Sequence, residues 1–151
     1  MHEALAPVVL GLHHVAIVVP TIAGARPTYE GALGMQASGE IEHVADQKVN
    51  VLVLFAGTQR IEIVEPAADD SPVSKFLERT RGMGGLHHLA YAVGDVADAI
   101  ARLKAQDVRL IDEAPRGGAH GTRIAFVHPK STGGVLSELV EDPSWLETHA
   151  E

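Results

Sequence analysis

The sequence predicts an α+β fold in which two tandem βαβββ modules, with eight strands in all, form one shared and curved sheet. Three observations predict it. Residues 12–19 read Leu-His-His-Val-Ala-Ile-Val-Val, and residues 86–93 repeat that pattern as Leu-His-His-Leu-Ala-Tyr-Ala-Val. One helix and a similar series of apolar, β-prone runs follow each copy. The last run of each half carries a single glutamate, Glu62 in the first and Glu138 in the second.

The first module is predicted to span residues 12–66. Its opening strand is apolar on both faces, which is typical of a strand that is covered on both sides, and Pro20 ends it. Thr21 is a good N-cap for a helix that runs to about Leu33, where Gly34 stops it. The remaining strands are predicted over residues 35–44, 49–55 and 60–64.

The second module is predicted to span residues 86–141 and repeats this order. Asp95 caps a helix whose apolar residues recur at i, i+3, i+4 and i+7, which indicates one buried face. A linker over 67–85 contains a short helix that begins at Ser71 and Pro72. Strands are predicted over 87–93, 108–111, 123–128 and 135–140, a Gly-rich loop over 115–121, and tails over 1–11 and 142–151.

Composition limits the possible functions. The chain has 151 residues, of which 46% are hydrophobic, and a net charge of −8, which argues against general nucleic-acid binding. It contains no cysteine, so disulfides and thiolate chemistry are excluded. No apolar run approaches the roughly 18 residues of a membrane span, and no secretory signal is visible. We therefore expect a cytoplasmic protein without nucleic-acid or membrane partners.

The repeated histidines and glutamates predict a metal site. The separation is 48 residues from His14 to Glu62 and 50 residues from His88 to Glu138. A single histidine in an apolar strand is more often a hydrogen-bonded core residue, but its recurrence in two repeats favours a ligand. Side chains alternate along a strand, so only one histidine of each pair is expected on the inner face. Two imidazoles and two carboxylates suit a divalent ion with open coordination positions.

Several longer stretches match one known family. The motifs are His14-Val15-Ala16-Ile17-Val18-Val19-Pro20, Asp70-Ser71-Pro72-Val73 with Lys75-Phe76-Leu77, Gly85-Leu86-His87-His88, Gly118-Ala119-His120-Gly121, Phe126-Val127-His128-Pro129-Lys130 and Gly133-Gly134-Val135-Leu136-Ser137-Glu138-Leu139. They cover residues from about 12 to 141, and through them the chain resembles the methylmalonyl-CoA epimerases of the vicinal oxygen chelate superfamily, which share the glyoxalase fold.

The resemblance implies a metal centre and a substrate. It implies that His14, Glu62, His88 and Glu138 are the ligands of one divalent ion. Cobalt is the ion that the resemblance favours, and nickel, manganese, zinc and iron are alternatives. The implied substrate is an acyl-CoA, and the implied assembly is a homodimer.

The resemblance also implies a reaction, the inversion of the α-carbon of a 2-substituted malonyl thioester through an enolate. Inversion needs one acid-base group on each face of that carbon, and Asp46 and Glu138 are the candidates. The family has a glutamate in a Glu-(Gln/His)-Gly-Val context where this chain has Asp46-Gln47-Lys48-Val49, while Glu42 lies four residues too early. The expected substrate-binding residues are Gln47, His120, Gly121 and Lys130.

Three other functions are compatible with parts of the pattern. A glyoxalase I acting on a glutathione hemithioacetal uses the same kind of ligand set, but the Asp-Ser-Pro-Val and His-Pro-Lys stretches match the epimerases better. An extradiol dioxygenase needs only two histidines and one carboxylate, so Glu62 is surplus. A metal-free small-molecule-binding protein of this fold usually lacks the four ligands.

Overall fold

The computed structural model describes residues 7–149, so the outer parts of the predicted tails, 1–6 and 150–151, lie outside the described residues. Within that range the chain forms nine strands and four α-helices. No helix there has the length and apolar character needed to cross a bilayer. The elements are β1 (Val9–Val18), α1 (Ile22–Arg26), β2 (Gln36–Ala37), β3 (Glu42–Val44), β4 (Val49–Ala56), β5 (Gln59–Pro66), α2 (Pro72–Arg79), β6 (Gly85–Val93), α3 (Val96–Lys104), β7 (Arg116–Gly117), β8 (Arg123–Val127), β9 (Ser137–Glu141) and α4 (Trp145–His149).

Backbone contacts divide the described residues into two compact units. Unit A comprises His14–His88 together with Gly118–His120. Unit B comprises Leu89–Gly117 and the described residues before His14 and after His120. Strands β1 and β6 each contribute residues to both units. The module boundaries expected from the sequence, 12–66 and 86–141, stay a prediction.

The sheet of unit A has the order β2-β4-β5-β1, and β3 also pairs with β4. Strand β1 runs parallel to β5 with Ala16 opposite Glu62, and β4 runs antiparallel to β5 with Val53 opposite Glu62. Helix α1 packs against one core cluster, which contains Ile22, Leu52, Leu54 and Ile63. A second cluster contains Ala16, Val18, Val44, Val49, Val51, Val53, Val64 and Val73, and Phe76 and Leu77 of α2 pack against it.

Two elements of this unit differ from the prediction. The helix expected over 21–33 ends its α-helical part at Arg26 and continues as a wider π turn, in which the Leu33 N–H donates to the carbonyl of Thr28. Pro27 has no N–H to donate to the α-helical ladder, which accounts for the change. The strand expected over 35–44 is split into β2 and β3, because Gly39 between them adopts a φ of +142°.

In unit B, β6 runs parallel to β9 with Ala90 opposite Glu138, and the sheet continues in the order β6-β9-β8-β7. The strand expected over 108–111 is reduced to one bridge between Leu110 and Val127. The Asp112 carboxylate accepts the Phe126 N–H, a donor that a longer strand would need. The loop expected at 115–121 contains the short strand β7, and the last strand begins two residues later than predicted, at Ser137.

Each half has a second glutamate near the end of its last strand, and the two glutamates make equivalent contacts. Glu65 and Glu141 follow Glu62 and Glu138 by three residues, an odd step that turns them to the other face of the strand. There the Glu65 carboxylate accepts the N–H of Ile22, 2.6 Å away, and Glu141 accepts that of Val96, 3.0 Å away. A carboxylate at a helix N-terminus satisfies a free N–H and complements the helix dipole. The repeat therefore extends from the candidate ligands to the supports of α1 and α3.

Replacement of Gly84 by alanine is expected to destabilise the protein strongly. Gly84 has a φ of +75°, and an added Cβ would lie 2.1 Å from the carbonyl oxygen of Val18. Backbone strain and steric overlap together predict a loss of about 3 kcal/mol or more in the free energy of unfolding. Gly82→Ala is the matched control, because Gly82 also has a positive φ but an added Cβ there meets no atom within 4 Å. Urea unfolding of both variants tests this, and equal losses would contradict it.

The C-terminal segment is anchored inside unit B. The His13 ring lies with Nε2 2.8 Å from Oδ2 of Asp142, and 5.8 Å from the ring of Trp145 between centroids. Both the N–H and the hydroxyl of Ser144 donate to the same carboxylate. Burial by itself raises the pKa of Asp142, but the hydrogen bonds from His13 and Ser144 outweigh it and lower that pKa from 3.8 to about 2.

Asp142 is therefore expected to make stability depend on pH in a narrow acidic window. Because its folded pKa is the lower one, its contribution is fully present above pH 4 and is lost as the pH falls towards 2. Asp142→Asn should cost at most about 2 kcal/mol at pH 7 and almost nothing near pH 2. Urea unfolding of both proteins in the presence of a chelator measures the difference. A cost that stays constant across pH would contradict the assignment.

Candidate active site

Three of the four predicted ligands lie together in unit A. His14 Nδ1 is 3.3 Å from Oε2 of Glu62, and the rings of His14 and His88 are 5.5 Å apart between centroids. One ring nitrogen of His14 also lies within 4.8 Å of a ring nitrogen of His88. All three residues are buried, with 4%, 8% and 8% of their surface exposed. This arrangement gathers polar groups on a sheet face whose other members are mainly valine and alanine.

The donor set of this cluster fits a divalent metal ion. Two ligands bound 2.0–2.2 Å from one ion at right angles lie about 3 Å apart, close to the His14–Glu62 separation. A buried carboxylate in apolar surroundings is costly unless an ion or hydrogen bonds compensate it. Imidazole and carboxylate ligands without sulfur suit cobalt, nickel, iron, manganese and zinc.

Glu138 lies in unit B at the position that corresponds to Glu62. It is 5% exposed, and its Cα partners are Ala90 of β6 and Phe126 of β8. Ala90 follows His88 by two residues, just as Ala16, the partner of Glu62, follows His14 by two. Residues two apart on a strand share a face. In each half, therefore, the glutamate lies opposite an alanine that is two residues beyond the second histidine of the pair.

Asp46 and Gln47 lie in a 3₁₀ turn between β3 and β4, where Asp46 is exposed and Gln47 is half-buried. The turn ends at Lys48, whose φ of +55° is in the left-handed region that favours glycine. The resemblance implies glycine at this position in the family, and glycine adopts this region without strain. Here the Lys48 ammonium group forms an ion pair with Asp70.

Glu42, four residues before the position of the family's glutamate, is a further candidate site residue. It pairs with Val51, which in turn pairs with Val64, so Glu42 is on the same sheet face as Glu62. One carboxylate oxygen of Glu42 accepts the backbone N–H of His120, 2.8 Å away, and the other lies 3.6 Å from Nδ1 of that residue. Val44, two residues further along β3, is buried on the same face, but the sequence around Glu42 has no strong period that would have indicated it.

The remaining predicted substrate-binding residues lie in turns. His120 is exposed and adopts a φ of +58°, and Gly121 follows it with a φ of +72°. Lys130 is exposed in unit B, where its backbone N–H donates to Nδ1 of His128. His120 shares unit A with the histidine cluster, and Gly121 and Lys130 belong to unit B.

His87 and His88 do not separate as simple strand alternation predicts. Their Nδ1 atoms are 2.8 Å apart, and their ring centroids are 5.0 Å apart at an angle of 74°. The Cβ atoms of neighbouring residues diverge along a strand, but the two rings turn back towards each other. The first histidine of the second pair thus contacts the candidate ligand directly.

Comparison with known proteins identifies relatives over most of the chain. Residues 13–126 match the family model of the glyoxalase/bleomycin resistance protein/dioxygenase superfamily. The uncharacterised protein YqjC of Bacillus subtilis is 45% identical over 86% of this chain and 91% of that protein. The mitochondrial methylmalonyl-CoA epimerase of Dictyostelium discoideum is 38% identical over 86% of this chain and 77% of that protein.

A solved structure agrees in fold. The crystal structure of methylmalonyl-CoA epimerase from Mycobacterium tuberculosis superposes on this chain with a TM-score of 0.85. It shares 36% sequence identity and covers 97% of each chain. The glyoxalase fold expected from the sequence is confirmed. The chain belongs to the methylmalonyl-CoA epimerase family within the glyoxalase/bleomycin resistance protein/dioxygenase superfamily.

Proposed function

We propose that the protein is a metal-dependent epimerase that interconverts the 2R and 2S forms of methylmalonyl-CoA. The observation that carries the proposal is the buried group of His14, Glu62 and His88 on one sheet face of unit A. A buried histidine–carboxylate group of this kind fits a cation and has no evident value as apolar packing. Family membership supplies the substrate class, an acyl-CoA thioester with a carboxylate on its α-carbon.

The proposed ligands are His14, Glu62, His88 and Glu138. The matching registers of Glu62 with Ala16 and of Glu138 with Ala90 support the choice of the two glutamates. We propose cobalt(II) as the ion, with nickel, manganese, zinc and iron as alternatives. When bound, such an ion supplies Lewis-acid chemistry, drawing electron density from the thioester and carboxylate oxygens and making the α-proton more acidic.

The proton transfer itself needs two groups, one on each face of the α-carbon. We propose Asp46 for one face and Glu138 for the other. One carboxylate takes the α-proton, the substrate passes through its enolate, and the acid on the opposite face returns a proton to the carbon. Glu42 is the alternative to Asp46, because it lies on the sheet face of Glu62 and is half-buried.

Substrate contacts outside the reacting centre are proposed for Gln47, His120, Gly121 and Lys130. His120 and Gly121 form a tight turn with positive φ angles, and the missing side chain of Gly121 lets a ligand approach the backbone closely. The exposed Lys130 carries a positive charge that suits the phosphates of coenzyme A.

Two measurements test the function. Purified protein loaded with Co²⁺ is incubated with (2S)-methylmalonyl-CoA in D₂O, and chiral analysis and mass spectrometry follow inversion and deuterium at the α-carbon. We expect both to appear together and to require metal. A glutathione hemithioacetal serves as the second substrate. Turnover of the hemithioacetal without α-deuteration of the thioester would favour a glyoxalase I instead.

A homodimer is expected in solution. Large apolar side chains are exposed at the start of β1, at Leu10 and Leu12, and around the start of β6, at Met83 and Leu86. Exposed apolar groups of this size are often covered by a partner subunit. Light scattering at micromolar concentration measures the mass, and a monomeric mass would contradict this expectation. A cytoplasmic location, without nucleic-acid or membrane partners, stays a prediction.

A further inference from the structure

His87 contacts the candidate ligand His88 through one specific pair of atoms. The two Nδ1 atoms are 2.8 Å apart, a hydrogen-bond distance. A neutral imidazole has one nitrogen that donates and one that accepts. A hydrogen bond between two Nδ1 atoms therefore requires a proton on one of them and a lone pair on the other. The direction of this bond decides which nitrogen of His88 is available to a cation.

Only one direction leaves His88 able to bind a metal through Nε2. If Nδ1 of His88 carries the proton and donates it to His87, the lone pair of His88 is on Nε2. If His87 donates instead, neutral His88 carries its proton on Nε2 and that atom cannot be a ligand. We infer that His87 is a positioning residue that accepts the Nδ1 proton of His88 and so holds His88 in the metal-binding tautomer. This inference rests on the proposed function, in which His88 is a ligand.

The surroundings of His87 hold its ring in place. The Phe76 ring meets it edge to face, with centroids 5.0 Å apart and an angle of 82°. Phe76 belongs to α2 and packs against the valine cluster of unit A, while the guanidinium group of Arg79 lies 5.9 Å above its ring. Helix α2, in the linker between the two predicted modules, therefore supports the metal ligand through His87.

The two histidine pairs have diverged in this respect. In the first pair, Nε2 of His13 contacts the carboxylate of Asp142, which anchors the C-terminal segment of unit B. In the second pair, the corresponding residue His87 contacts the neighbouring histidine. Partners of metal-binding histidines orient the ring and fix its tautomer, and their loss typically weakens metal binding by about 10–100-fold.

Two nearly isosteric substitutions test the role of His87. Asparagine has an oxygen acceptor where histidine has Nδ1, and leucine has a methyl group there. We expect His87→Leu to weaken Co²⁺ binding by about 10–100-fold in calorimetry and to alter the visible cobalt spectrum. His87→Asn should recover most of the affinity. The matched control is His43→Leu, which removes an exposed histidine whose Nδ1 lies 3.0 Å from Oδ1 of Asn50 and should leave the affinity unchanged.

The tautomer of His88 can be measured directly, and a purely structural role of His87 would not affect it. In the ¹⁵N spectrum of the Zn²⁺-loaded wild type, Nδ1 of His88 should carry the proton and Nε2 should be the metal-bound nitrogen. The inference is overturned if Nδ1 of His88 carries no proton, or if His87→Leu binds Co²⁺ as tightly as the wild type. If His87→Leu does not fold, the wild-type spectrum and His87→Asn decide. A wild type that binds no divalent metal overturns the proposed function as well, which separates the two failures.

Discussion

His88→Ala is expected to bind no cobalt at micromolar concentration and to lose epimerisation by several orders of magnitude. His14→Ala should behave in the same way. Each change removes one of the two imidazoles of the proposed ligand set, one of which lies 3.3 Å from Glu62, and leaves a single histidine with two carboxylates, which should hold the ion much more weakly. Metal content after dialysis and the rate of α-deuteration measure the two losses together.

The control for this pair is His43→Ala. His43 is exposed on β3, and its Nδ1 lies 3.0 Å from the side-chain oxygen of Asn50. Its removal should leave both metal content and rate unchanged. Retention of stoichiometric metal by both His14→Ala and His88→Ala would show that the ion binds elsewhere. Unfolding curves recorded in chelator distinguish loss of a ligand from loss of the fold.

The proximity of His14, Glu62 and His88 could be predicted because the pattern occurs twice. A buried His14 alone is ambiguous, but the parallel pairings of Ala16 with Glu62 and of Ala90 with Glu138 repeat one geometry in both halves. The long strands could also be predicted, because each is a local run of apolar residues. These features depend on residues that are close in sequence or related by the repeat, so they are visible in one chain.

The position of Glu42 could not be predicted, because it depends on pairing between strands. The polar stretch over residues 35–44 has no strong period, and the turn through Lys48 sets the register of β3 on β4. That register turns Glu42 towards the sheet face of Glu62 and brings its carboxylate to His120, 78 residues away in sequence. The contact of His87 with His88 was missed for a related reason, since alternation describes Cβ directions and not the reach of a ring.

Asp46→Asn is expected to keep the metal and to slow epimerisation by about 10²–10⁴-fold, the usual cost of losing a positioned base. Because Asp46 and Glu138 are proposed for opposite faces of the α-carbon, the variant should exchange the α-proton of one enantiomer more slowly than that of the other. Each pure enantiomer of methylmalonyl-CoA is therefore assayed separately in D₂O. Asp69→Asn, a change to an exposed acid in the linker, is the matched control and should exchange both enantiomers at the wild-type rate.

The decisive comparison is with Glu42→Gln. Glutamine keeps an oxygen that can accept the backbone N–H of His120, so the support of that turn survives while the basic carboxylate is lost. If Asp46 is the base, Glu42→Gln should change the exchange rates of both enantiomers only slightly. If Asp46→Asn exchanges both enantiomers at the wild-type rate and Glu42→Gln slows one of them by about 10²–10⁴-fold, the base is Glu42. The latter result would mean that the carboxylate on β3, and not the one in the exposed turn, acts at the α-carbon.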